Sequence, residues 1–310
     1  MNKSRINVSA INQYARCPYR WWAQYVMDWV PVEEAEPLAF GRLLHEVFEL
    51  NANGKSMDNA LKIIKTKWTD LALNTNDSFE NMFRTKAVLK LHELWEALEQ
   101  WEDHYEWEVP VLEAECPFEL DYNDDLTFVG TPDRVGVMDG RIWHIQNRGL
   151  NSSTNFGVYI GLARRHYHEH VYAEALSRKY SPRPYGGTLF NLVRKLKYRT
   201  GITKNKPEGI VKTLDQMFFQ HPMSIDLESP LHKHVMKSVE QWAYKMRQAQ
   251  VLYELTGEIP APNEGANGGM WGNSPDVYYR VLVGEIELGD PRYFKKREQR
   301  YAVIEGEGFE

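Results

Sequence analysis

Gly130 to Arg148 reads GTPDRVGVMDGRIWHIQNR. Asp139-Gly140 divides this stretch into two alternating runs, and Asp-Gly between such runs is a strong signal for a two-residue hairpin turn. A hairpin closed there sets Asp133 opposite Gln146. Side chains along a strand alternate faces with period two, so Arg148 shares the face of Gln146 and Asp133. Backbone geometry alone thus gathers an acid, a carboxamide and a cation. A polar, solvated hairpin face is the plain alternative, and the flanking sequence has to decide between them.

Outward from the hairpin, Val109 to Leu120, Leu126 to Met138 and Arg141 to Gln146 read as consecutive strands. A polar loop, Asn151 to Asn155, precedes a helix running to about Lys179, and Thr188 to Val193 forms a further strand after the break at Pro182 to Gly187. Upstream, Ser9 is placed to cap a helix from Ile11 to Trp29, and Phe40 to Leu50 and Met57 to Leu73 repeat apolar residues at helical spacing. The clearest helix is Arg84 to Trp107, with Leu91, Leu94, Trp95, Leu98, Trp101 and Tyr105 on one stripe. Downstream, Gln216 to Ile225 reads as a strand and Pro230 to Leu255 as a long helix, before an irregular wrap from Glu258. This order predicts an α/β (mixed α+β) fold with a central mixed sheet. It divides as a helical region over 1–108, a sheet core over 109–225 and a C-terminal helix and wrap over 226–310, in one compact unit.

Composition narrows the function classes. The 43% hydrophobic and 26% charged content is that of an ordinary globular protein. No stretch reaches eighteen apolar residues, so a membrane span is not expected. The N-terminus MNKSRINVSAINQY lacks an apolar signal core, and two cysteines, Cys17 and Cys116, suit a reducing cytoplasm. Net charge is −6, yet nucleic-acid binding depends on local charge. Arg194, Lys195, Lys197, Arg199, Lys204 and Lys206 form one basic stretch, a candidate DNA-binding segment with a mobile solvated loop as its alternative. Arg292, Lys295, Lys296, Arg297 and Arg300 form a second.

Six short segments occur in an order similar to that of the PD-(D/E)XK nucleases, specifically the RecB-like exonuclease branch found in many phages. SAINQYARCPYRWWAQY (Ser9 to Tyr25) resembles the opening helix, with a Ser before Cys-Pro and paired aromatics. FGRLLHEVFE (Phe40 to Glu49) resembles the FG-x-x-x-H-x-x-x-E helix, and LEAECPFEL (Leu112 to Leu120) the strand before the active-site hairpin. Asp133 matches the first catalytic acid, Gln146-Asn147-Arg148 falls where the (D/E)-x-K motif belongs, and HEHVY (His168 to Tyr172) takes the place of the Q-x-x-x-Y helix motif.

The resemblance implies a restriction-endonuclease-like core and a Mg²⁺- or Mn²⁺-dependent DNA nuclease, an exonuclease of phage or bacterial recombination or repair. It implies catalytic roles for Asp133, Gln146 and Arg148 and metal ligation by His45, Asp133 and Gln146. Glu49 and Glu115 are supporting acids. Arg165, His168, Glu169 and Tyr172, read as one helix face, would orient Arg148 or grip phosphate. The departures weigh against full activity. Gln146 offers a carbonyl dipole where a carboxylate would hold a hard cation, and Arg148 cannot act as a base. A nuclease-derived DNA-binding protein, or a protein-interaction module on the same scaffold, is therefore the rival reading. Some relatives hold an iron–sulfur cluster through one N-terminal and three C-terminal cysteines. Cys17 matches the first, but Gly268 to Val281 contains none, so no cluster is expected and Trp271, Tyr278 and Tyr279 must close that region by packing. His166, His168 and His170 do not read as a zinc site, because residues two apart on a helix diverge.

Overall fold

Pro18 decides how the chain begins. The residue before a proline is driven out of the helical region, and Cys17 is extended, with φ −157° and ψ 102°. The helix expected from Ile11 to Trp29 is consequently three pieces: α1 (Val8–Arg16), α2 (Pro18–Trp21) and a π-helical turn (Trp22–Val26). The cap of α1 is Asn7, not Ser9. Its side-chain oxygen accepts from the Ser9 amide at 2.8 Å, directly after β1 (Ser4–Asn7). The computed structural model describes residues 4–32, 36–74, 78–101, 109–196, 199–200, 210–262, 270–271, 274–275 and 277–297.

After β2 (Trp29–Pro31), α3 (Glu36–Ala52), α4 (Met57–Asn74) and α5 (Ser78–Glu99) pack around Leu43, Val47, Leu61, Leu91, Leu94 and Trp101. The end expected for α5 at Trp107, with Tyr105, lies outside the described residues.

Two expected strands each break in two. Val109 to Leu120 becomes β3 (Val111–Ala114) and β4 (Phe118–Asp121), interrupted at Glu115, whose φ is +47°. Leu126 to Met138 becomes β5 (Leu126–Gly130) and β6 (Arg134–Met138), interrupted around Pro132, which has no N–H to offer a ladder. The two breaks are bonded together: the Glu115 amide donates to the Asp133 carbonyl (2.9 Å) and the Cys116 amide to the Pro132 carbonyl (3.1 Å). Beyond them, β4 and β5 join β1 in a three-stranded sheet of order β1-β5-β4.

The hairpin itself is as expected. Asp139 and Gly140 both have positive φ, 52° and 72°, and join β6 to β7 (Arg141–Leu150) with Val137 against Ile142 and Arg134 against Ile145. Next come α6 (Phe156–Ala163), α7 (Tyr167–Lys179) and β8 (Tyr185–Arg194), with Asn155 capping α6. The single helix expected here is thus two. β9 (Arg199–Thr200) and β10 (Ile210–Val211) form a small ribbon, followed by α8 (Leu214–Met217) and β11 (Phe218–Ser224). The main sheet has the order β11-β8-β7-β6-β3, with β7 and β8 parallel and the other pairs antiparallel. Helices flank this mixed sheet, as the fold class predicts. β8 is buried over nearly its whole length, as its central place requires.

α9 (Pro230–Thr256), started by Ser229 and stopped at Gly257 with φ 71°, lies against α1 and α7. A buried chain clasps it to α7: His170 Nε2 meets the Arg164 carbonyl (2.9 Å), His170 Nδ1 meets His232 Nδ1 (3.0 Å), and His232 Nε2 meets Glu174 Oε1 (3.0 Å). The C-terminal wrap is more regular than expected. After the ribbon of β12 (Met270–Trp271) and β13 (Ser274–Pro275) come α10 (Val277–Leu282) and β14 (Phe294–Lys296), which pairs with β2. Tyr278 is buried and donates to the Trp29 carbonyl at 2.7 Å. One core joins Ile6 and Val8 with Phe128, Val239, Tyr278 and Phe294, drawing on all three stretches of the chain.

Gly187 makes the close approach of β8 and β11 possible. Its φ is +146°, and an added Cβ would lie 2.1 Å from the Met223 carbonyl oxygen. Gly187→Ala should lower unfolding free energy by roughly 3 kcal/mol or more in urea titration. Gly161, inside α6 with open space around it, provides the opposite case, and Gly161→Ala should raise it by about 0.5–1 kcal/mol.

Candidate functional site

Continuing the β6–β7 register one step past Arg134 and Ile145 sets Asp133 against Gln146. Asp133 is the last residue before β6, where the chain has just turned at Pro132. α3 brings His45 to it: His45 Nε2 is 3.6 Å from Asp133 Oδ2. That oxygen is buried and accepts no hydrogen bond. Glu115 stands at the neighbouring break in a left-handed conformation that non-glycine residues adopt sparingly. Burial, then the charges of Asp133 and Glu49, push its carboxyl pKa up, with Arg134 opposing them. His45, Glu49, Glu115 and Asp133 therefore form one acidic corner between α3 and the sheet.

A second layer lies beneath. Oriented by its hydrogen bonds, the buried Gln146 amide donates to Glu169 Oε1 at 3.2 Å and its carbonyl accepts from Arg148 Nη2 at 2.7 Å. Glu169 Oε2 accepts from Thr188 Oγ1 at 2.6 Å and lies 3.6 Å from His144 Nδ1. Burial alone would raise the Glu169 pKa. His144, Thr188 and the Arg148 charge outweigh that and hold it at about 2. Arg148 sits in the field of Tyr159, Asp133, Glu169 and Tyr172, which together overcome its desolvation and keep it charged. Tyr172 crosses edge-on to both His144 and His168, at 5.2 and 5.7 Å between ring centres. Burial pushes its phenol pKa well up.

Sequence reasoning missed His144 and Thr188. The signal for His144 was present, since it stands two residues before Gln146 on the same alternating face of β7. Thr188 pairs with His144 across parallel strands, a neighbour that no local pattern announces.

Other expected members are placed differently. Arg165 precedes α7 and is exposed, so it does not belong to a helix face with His168, Glu169 and Tyr172. His168 is turned toward α1, within 3.1 Å of Ser9 Oγ and 2.5 Å of Asn12 Nδ2. Arg194 donates to the Thr154 and Gln216 carbonyls and lies 4.1 Å over the Phe156 ring, and Lys195 is buried over Phe40. These two cations of the basic stretch therefore brace the fold. Lys197, Lys204 and Lys206 lie outside the described residues, and nothing is described of the Arg199 side chain. In the second basic cluster, Arg292 pairs with Asp290, Lys296 with the Met27 carbonyl and Arg297 with the Tyr25 ring, and Arg300 lies outside the described residues.

Of the expected ligand set, the structure brings together Asp133, an oxygen donor, and His45, a softer imidazole nitrogen. The third is not free, because the Gln146 oxygen is engaged by Arg148. Among the described residues, no three His, Cys, Asp or Glu side chains converge closely enough to hold a metal ion. As arranged, these donors do not make a complete metal seat.

The pleated hairpin with its acid, the parallel strand beside it and the helix that covers both define a nuclease-type core. The PD-(D/E)XK nuclease superfamily matches residues 5–192, more than half of the chain, and the chain belongs to that superfamily. Its members are generally nucleases that hydrolyse phosphodiesters and typically use divalent metals such as Mg²⁺. No curated protein matches the sequence. Among the described residues no helix is long and apolar enough to cross a membrane.

The buried network makes folding acid-sensitive. Burial, with the nearby His166 and Arg148, depresses His168 to about 3. Unfolded histidine titrates near 6.5, so between those values the unfolded chain binds a proton that the folded one refuses, and stability falls as pH drops below about 6.5. Glu169 adds a further loss between about 4.3 and 2. His166 and His170, also depressed first by burial, act in the same direction as His168. Urea unfolding from pH 8 to 4 should show this slope, and His168→Gln should make it shallower by roughly one bound proton. A slope unchanged in His168→Gln would show that His168 is protonated in the folded protein.

Proposed function

We propose that this protein is a DNA nuclease of the RecB-like exonuclease type, at work in phage or bacterial recombination or repair, in which hydrolysis is weakened. One observation carries the reading: Asp133 keeps a buried, unpartnered carboxylate oxygen beside His45 while Arg148 stands charged in the same field. Gln146-Asn147-Arg148 replaces the family's acid and lysine, and HEHVY its helix motif. Asp133 would serve as the catalytic acid position, His45 and Glu115 as its neighbours, and Arg148 as a planar fork for a phosphate. Mg²⁺ or Mn²⁺ is the cofactor class, and DNA the partner. We further propose that residues 1–108, 109–225 and 226–310 act as one unit, in the cytoplasm, or the host cytoplasm if the chain is phage-encoded. Lys197, Arg199, Lys204 and Lys206 are the remaining candidates for DNA contact in the basic stretch.

A second reading, DNA binding without cleavage, is favoured by a specific contact. Gln146 is held from both ends, by Arg148 and Glu169, which leaves no second anionic ligand on β7. Cleavage assays on single- and double-stranded DNA across divalent metals separate the two. Weak cleavage abolished by Asp133→Ala supports the nuclease. Salt-dependent binding without any cleavage supports the second reading.

Gln146→Glu tests the site directly. It would set a second carboxylate beside Glu169 Oε1, a like-charge pair in a buried place that raises a pKa and costs stability. The variant should melt lower than wild type without metal and regain stability with Mg²⁺. Paired with Arg148→Lys, it should raise cleavage by about a hundredfold, the worth of about 3 kcal/mol of electrostatic stabilisation. A folded double variant that neither responds to Mg²⁺ nor cuts DNA would remove catalysis from the reading.

A further inference from the structure

Away from the acidic corner, the end of α7 meets the break between β3 and β4. Lys179, the last residue of α7, donates from Nζ to Cys116 Sγ at 3.0 Å and to both carboxylate oxygens of Glu113 at 3.0 and 3.1 Å. The Tyr180 hydroxyl donates to Glu113 Oε2 at 2.6 Å and lies 3.6 Å from the same sulfur. Cys116 is fully buried, whereas Lys179 and Glu113 are each about a third exposed, at 35% and 36%. An amine, a thiol, a carboxylate and a phenol thus meet, with the amine and the carboxylate partly open to solvent. None of these groups takes part in the Asp133 site.

We propose that Cys116 and Lys179 form an oxidative crosslinking site, closed by hydrogen peroxide into a covalent Lys–N–O–S–Cys bridge. The first peroxide oxidises the sulfur by two electrons: the Cys116 thiol gains one oxygen to become a sulfenic acid, and water leaves. The second takes two electrons from nitrogen. The sulfenic oxygen bonds to Nζ, one N–H and the S–O–H proton are lost, and two waters form. In all, a thiol, an amine and two peroxides give the bridge and three waters. Nζ must be uncharged to react. Burial favours loss of its proton, but the contacts with Cys116 and Glu113 outweigh that and raise its pKa, so the free amine forms, giving its proton to water, as pH rises. Burial raises the Cys116 thiol pKa, while Lys179 and Tyr180 pull it back. Contact geometry, more than thiolate content, therefore selects this cysteine.

The bridge would have a structural consequence. The Cys116 amide is bonded to the Pro132 carbonyl, one residue before Asp133, and α7 carries Glu169 and Tyr172. Crosslinking would fasten that helix to the turn that positions the acid, and would constrain the unfolded chain as any long-range covalent link does.

Mass spectrometry of the full chain before and after graded hydrogen peroxide tests the proposal. The expected product is a Cys116–Lys179 peptide pair that has gained one oxygen and lost two hydrogens, reversed by dithiothreitol, with a raised Tm before reversal. Lys179→Arg keeps the cation but cannot make the bridge, and Cys116→Ser removes the sulfur; both should lack the product. Cys17 reports general oxidation in the same digest. Oxygen additions at Cys116 without the linked pair would overturn the proposal, as would a Cys116 that stays unmodified while Cys17 oxidises.

Discussion

The charge of Glu169 organises the centre of this molecule. A carboxylate with almost no solvent contact is tolerated only when every lone pair has a partner and a countercharge is near. Thr188 from β8 and Gln146 from β7 donate to it, while His144 at 3.6 Å and the Arg148 guanidinium behind Gln146 act on its charge. Each comes from a different position in a parallel strand pair, so the pairing of β7 with β8 and the docking of α7 are tied to one electrostatic requirement. Removing one partner leaves a buried ion uncompensated, which is why the network behaves as a unit.

That requirement also explains why a neutral amide suits position 146. An acid at position 146 would stand against Glu169, and a neutral amide resolves the conflict by donating to one side and accepting from the other. Arg148 then has a fixed acceptor and a fixed orientation. Negative charge is not lost from this part of the fold. It resides on the helix, buried and hydrogen-bonded, and on Asp133, whose unpartnered oxygen faces His45. The anionic centre is thus divided between the hydrogen-bonded Glu169 carboxylate and the Asp133 oxygen that accepts no hydrogen bond.

The two chain breaks at Glu115 and Pro132 do a related job. A continuous β5–β6 strand would carry Asp133 flat within a ladder. Instead the chain leaves one sheet and enters another there, and paired amide bonds between the breaks hold the corner in place. Asp133 thereby reaches the mouth of the hairpin, where α3 can deliver His45.

Much of this was legible in the sequence. Asp139-Gly140 set the hairpin and its register, and through the register the facing of Asp133 and Gln146, because turn geometry and side-chain alternation are local properties of the chain. The helices over 57–74 and 230–256 were legible for the same reason. The breaks at Glu115, Pro132 and Arg164 were not, since a strand or helix pattern does not say which neighbour will claim each half. Nor was the fate of Arg194 and Lys195, which read as free cations and are drawn inward by Phe156, Phe40 and backbone carbonyls. The sequence by itself determined which residues could share a face. Only the tertiary structure decided which of them meet, because Glu169, Thr188 and His45 arrive at the hairpin from distant elements, and burying their charges is a cost settled by the whole packed fold.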